Sequence, residues 1–153
     1  MTDPIKLIGN VASPYTRKMV AYLRYKRIPY EVIWGQPEDV LKKMNIEPPK
    51  PILLPVFIMD RDGQASAVTD STPLIREFEE KYSDRSVLPK DPALNFINFV
   101  LEDFGDEWCT KFMFHYRWHF DEDADNAGTI LPLGINSNLK DDELAFFKEH
   151  FAK

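Results

Sequence analysis

Ile5-Lys6-Leu7-Ile8-Gly9-Asn10-Val11-Ala12-Ser13-Pro14-Tyr15-Thr16-Arg17-Lys18 is the stretch whose reading decides the fold. The loosely alternating apolar residues of 5–10 predict a short strand, and the chain breaks through Ala12 to Pro14. A helix begins there, because proline suits the first helical position, where its missing amide proton would be unpaired anyway, and Ser13 is a favoured cap. Tyr15, Met19 and Tyr22 then recur on one face at helical spacing, with Val20 and Leu23 beside them, until Arg27 to Pro29 end the run.

Working outward, Tyr30-Glu31-Val32-Ile33-Trp34 is rich in β-branched and aromatic residues and reads as a second strand. Residues 38–45 suit a short helix. Beyond them Pro48, Pro49, Pro51 and Pro55 exclude both helix and central strand, since proline lacks the amide donor that either needs. Residues 54–59 predict a third strand, Asp62-Gly63 the turn of a hairpin, and residues 66–68 the returning strand. A third helix starts between Ser71 and Pro73 and carries Leu74, Ile75, Phe78 and Tyr82 at helical spacing. The order is βαβαββα, an α/β unit over residues 1–82.

Residues 83–90 read as a linker, and Asp91-Pro92 repeats the cap-then-proline start signal. One long helix is expected over residues 93–119, with Phe96, Phe99, Val100, Phe104, Trp108, Phe112 and Tyr116 roughly down one side. An acidic loop over 121–125 and a last amphipathic helix over 141–151 complete an all-α region, 91–153.

Composition narrows the function classes. With 44% hydrophobic and 29% charged residues the chain is ordinary for a soluble globular protein. No apolar run approaches the roughly 18 residues of a membrane span, and the first residues lack the pattern of a secretory leader. The net charge of -6, from 25 acidic and 19 basic residues with no segregated basic patch, argues against nucleic acid as a partner. A single cysteine, Cys109, allows no intrachain disulfide, so a reducing cytoplasm is the expected setting.

Four features fall in order on the βαβαββα frame: Ser13-Pro14-Tyr15-Thr16-Arg17-Lys18 after the first strand, Leu54-Pro55-Val56 opening the third, Asp70-Ser71 opening the third helix, and a helical region afterwards. Together they resemble the glutathione transferase family. The resemblance implies a thioredoxin-like N-terminal domain with a mixed four-stranded sheet, followed by a helical region shorter than the family's. It implies glutathione as co-substrate, no metal, a small apolar electrophile as the second substrate, and a homodimer. Ser13 would donate to the thiolate at a helix N-terminus, where unpaired amides also favour negative charge. A hydroxyl hydrogen bond to a charged acceptor is worth about 1.5–3 kcal/mol and a pKa unit about 1.4, so serine lowers a bound thiol by roughly one to two units from about 8.5.

On the same resemblance Pro55 is the cis proline that presents Leu54's backbone to the cysteinyl unit. Ser71 would hold the γ-glutamyl carboxylate, Asp70 its ammonium, and Lys50 the glycyl carboxylate; Phe112 and Tyr116 would border the electrophile. Glutaredoxins share this fold but carry Cys-Pro-Tyr-Cys where this chain has Ser13-Pro14-Tyr15-Thr16, so dithiol exchange is excluded and serine-type conjugation is the better match. A non-catalytic interaction module on the same fold is the alternative.

Three further constellations are weaker. His115 and His119 share a helix face, but their aromatic neighbours suggest packing over metal binding. Asp121, Asp123 and Asp125 imitate a calcium loop, yet its sixth position is Asn126 and its twelfth Pro132, so the match fails. Cys109 is expected as a small buried hydrophobe.

Overall fold

The structure, a computed structural model, describes residues 3–151. Its strands are β1 (Ile5–Gly9), β2 (Tyr30–Trp34), β3 (Val56–Arg61) and β4 (Gln64–Val68), interleaved with α1 (Pro14–Lys26), α2 (Pro37–Lys43) and α3 (Ser71–Lys81) in the expected βαβαββα order. The sheet order is β2-β1-β3-β4, with β1 parallel to β2 and antiparallel to β3, and β3 antiparallel to β4. This is the mixed four-stranded, thioredoxin-like arrangement.

Side-chain alternation along β1 builds two cores, because successive strand residues point to opposite faces. Leu7, opposite Phe57, packs with Met19, Leu23, Leu74 and Phe78 of α1 and α3, whereas Ile8, opposite Val56, packs with Leu41 of α2. The β3–β4 hairpin turns at Asp62 and Gly63, both at positive φ (55° and 79°), the backbone that favours an Asp-Gly pair.

The long C-terminal helix departs from one uniform run. It comprises α4 (Pro92–Asp103), a π-helical turn (Phe104–Cys109) and α5 (Thr110–Trp118). The Asp106 carbonyl within the turn accepts from Tyr15 OH (2.6 Å) and Thr110 Oγ1 (2.7 Å), so side-chain hydroxyls serve the widened ladder.

Two expectations are corrected. Residues 121–125 form no acidic loop; they open α6 (Asp121–Ile135), where Asp121, Glu122 and Asp123 in the first turn favour the positive end of the helix dipole. Pro132 and Gly134 argue against helix locally, but Gly134 lets α6 approach so closely that a Cβ there would lie 2.4 Å from Asn10 Oδ1. The second correction concerns Cys109, which is exposed, on a side of the π turn that no other element among the described residues covers. The last helix, α7 (Asp141–Phe151), matches its expected span.

A sheltered ion pair joins α1 to α3. Lys26 Nζ, fully buried, lies 2.9 Å from Glu79 Oε1 and donates to the Tyr82 carbonyl, while Tyr22 OH (2.8 Å) and Ser86 Oγ donate to the same carboxylate. Burial alone would raise the Glu79 pKa, but the hydrogen bonds from Ser86, Lys26 and Tyr22 outweigh it and hold the group below its ordinary 4.5. Burial, reinforced by the bond to Glu79, pushes the Tyr22 phenol up.

A depressed carboxylate adds stability that is fully present above its unfolded-state pKa and lost as pH falls through the folded one. Glu79→Gln should therefore cost about 3–5 kcal/mol near neutrality, since it leaves a buried ammonium uncompensated. The deficit should shrink as pH falls below 4.5. Urea denaturation of both proteins between pH 3 and pH 7 measures the difference (roughly the carboxylate range).

Candidate active site

The start of α1, the loop ahead of β3, the start of α3 and the α4–π segment enclose a cavity of about 510 Å³. That volume falls within the range of small-molecule sites, about 300–1,000 Å³. Its walls combine Ser13, Tyr15, Leu54, Asp70 and Ser71 with Phe99, Asp103 and Glu107.

Ser13 is the N-cap of α1 (φ -80°, ψ 121°), and its Oγ accepts from the Thr16 amide at 3.2 Å. That bond uses a lone pair. The hydroxyl hydrogen has no acceptor among the described residues, and Ser13 lines the cavity. Helix capping and a ligand-donating role are thus compatible at one side chain.

The Leu54–Pro55 peptide is cis, as the resemblance implied, and so is Lys50–Pro51. Thr69 Oγ1 donates to the Leu53 carbonyl (2.6 Å) and pins this loop at the cavity edge. Asp70 caps α3 at φ 82°, ψ 116°, with its carboxylate accepting from the Thr72 amide at 3.3 Å. A non-glycine residue there costs about 1–3 kcal/mol, and such strain gathers at functional sites. Ser71, buried, follows as the first residue of α3 and takes a hydrogen bond from Lys18 Nζ at 3.1 Å.

Of the residues singled out from sequence, Ser13, Leu54, Asp70 and Ser71 meet at this cavity. Lys50 is exposed and outside its wall, next to the Ile52–Leu54 loop that lines it. Tyr116 borders a separate cavity of about 300 Å³ with Val11, Arg17 and Ile130, and Phe112 lines neither. The imidazoles of His115 and His119 stack on each other at 4.4 Å.

Sequence reading passed over Glu102, Asp103, Asp106 and Glu107, which with Phe99 form the far wall. Their three- and four-residue spacing is a legible polar helix face, hidden behind the more obvious apolar run. Lys18 Nζ neutralises part of it, at 3.1 Å from Glu102 and 2.5 Å from Asp106. Arg76 stands 3.9 Å from Glu102.

The profile of the glutathione S-transferase N-terminal domain matches residues 7–86. The chain belongs to the glutathione S-transferase family. Among solved structures, a Tau class glutathione S-transferase from mango (Mangifera indica) is 25% identical with a TM-score of 0.56, over 85% of this chain and 60% of its own. A glutathione S-transferase from Methylobacterium radiotolerans, in complex with glutathione sulfonate, is 21% identical (TM-score 0.57, 98% of this chain and 62% of its own). A maleylacetoacetate isomerase from Anaeromyxobacter dehalogenans, with GSH bound in its active site, is 16% identical (TM-score 0.58, 86% and 64%). This chain therefore spans 60–64% of the length of these three proteins. No curated protein matches it.

If the Asp70 backbone is strained for the sake of the site, removing its Cβ should separate stability from binding. Asp70→Gly is expected to keep or raise Tm while losing affinity for whatever occupies the cavity, as read by thermal melts and ligand titration.

Proposed function

We propose that this chain binds glutathione in the cavity beside Ser13 and activates its thiol for conjugation to a small apolar electrophile. The observation that carries this is the free hydroxyl hydrogen of Ser13 at the N-terminus of α1, in the same cavity as Leu54, Asp70 and Ser71. Ser13 donates to the thiolate, the amide end of α1 adds to its stabilisation, Leu54 and Pro55 present backbone to the cysteinyl unit, and Asp70 and Ser71 hold the γ-glutamyl end. Phe99 and Tyr15 give the electrophile an apolar wall. A reducing cytoplasm suits a chain whose cysteine, Cys109, is exposed.

Calorimetric titration with reduced glutathione tests the reading. Asp70→Ala should lose binding, whereas Ser13→Ala should keep most of it. In that variant the bound thiol should titrate roughly one to two units higher, and conjugation of an aryl halide should fall about ten- to a hundredfold. No heat from the wild-type chain, or binding without turnover of any electrophile, would sink it.

A stripe of exposed apolar side chains favours a partner on the outer side of the long helix. Ile97, Leu101, Phe104 and Trp108 follow helical spacing there, and Leu101 is 64% exposed. A second copy of the chain is the occupant we favour, giving the homodimer. A non-catalytic interaction module, the second reading, would use the same stripe for a different protein and would show no affinity for glutathione. Sedimentation should find a wild-type dimer that Leu101→Asp dissociates; a monomeric wild type would remove the dimer reading.

A further inference from the structure

Lys18 has no part in the reading above, yet every donor of its ammonium is committed. Nζ donates to Ser71 Oγ (3.1 Å), Glu102 Oε1 (3.1 Å) and Asp106 Oδ2 (2.5 Å), using its three hydrogens to join α1, α3, α4 and the π turn. The cluster is sheltered: the side chains of Lys18, Glu102 and Asp106 are 25%, 16% and 18% exposed, so their charges are less screened than at an open surface.

We propose that Lys18 is a positioning residue that makes the Ser71 end of the cavity select a carboxylate. This rests on the glutathione reading, in which that carboxylate belongs to the γ-glutamyl unit. Because Ser71 Oγ accepts from Lys18, its own hydrogen is turned to another acceptor, and Ser71 lines the cavity whereas Lys18 does not. The ammonium behind the hydroxyl polarises it toward an anion. It also offsets Glu102 and Asp106, two carboxylates in the cavity wall that would otherwise repel a third. Thr72 Oγ1 donates to Glu102 as well (3.1 Å), but it is neutral and cannot replace the charge.

The test compares reduced glutathione with 4-aminobutyryl-cysteinyl-glycine, which lacks only the γ-glutamyl α-carboxylate, by titration of the wild type, Lys18→Met, Lys18→Gln and Lys18→Arg. Lys18→Met should weaken glutathione about ten- to a hundredfold while changing affinity for the analogue by less than about threefold. Lys18→Gln keeps donors but no charge and should show the same selective loss even if the Met variant fails to fold; Lys18→Arg should recover most of the affinity. Equal weakening of both ligands would reduce Lys18 to a structural tie and overturn the proposal, as would unchanged glutathione binding in the variants. A wild-type chain that binds neither ligand would instead defeat the glutathione reading, and the proposal with it.

Discussion

The first turn of α1 is wedged against the end of β1, and the absence of a side chain at Gly9 makes the contact possible. A Cβ at that position would lie 2.5 Å from Thr16 Cγ2, inside any van der Waals approach. Thr16 is buried and its Oγ1 accepts from the Asn10 amide, so the helix cannot slide along the strand without losing both packing and a hydrogen bond. Asn10 extends the constraint: its carbonyl accepts from the Ser13 amide, its side chain accepts from the Ala12 amide, and Gly134 of α6 rests against it. The position of the Ser13 hydroxyl follows from these contacts more than from its own cap bond.

The second organising feature is electrostatic. The α4–π wall places several carboxylates beside a cavity whose opposite side holds Asp70, and α1 supplies Lys18 as the cation between them. The π turn contributes directly. It carries Asp106, whose side chain meets Lys18 and whose carbonyl meets Tyr15, so one residue ties the helical region to two positions of α1. Partial shelter makes this cluster consequential, since the same charges on an open surface would contribute about 0–1 kcal/mol.

The outer side of the long helix poses the opposite problem. Apolar side chains that a helical bundle would cover stand exposed along α4 and the π turn. The chain spans 60–64% of the length of the solved relatives compared with it, and this face has no covering element among the described residues. Such a stripe is costly in water, which is why a partner on it belongs to the functional proposal.

Much of the α/β frame was determined by sequence because its signals are local: a cap and proline at Ser13-Pro14, period-two strands, and Asp62-Gly63 at a hairpin whose backbone needs positive φ. Ser13 and Asp70-Ser71 were legible for a related reason, since they stand at helix starts where capping rules limit the residue, whereas Leu54 was singled out by the family resemblance alone. What only tertiary structure decided depends on contacts between distant segments. The helical state of 121–135 runs against Gly128, Pro132 and Gly134 and is sustained by packing on α7 and on Asn10. The exposure of Cys109 follows from the face that its turn presents. Lys18 looks from its neighbours like any helix-surface lysine; its role arises because folding brings Ser71, Glu102 and Asp106, 53 to 88 residues away in sequence, within reach of one ammonium.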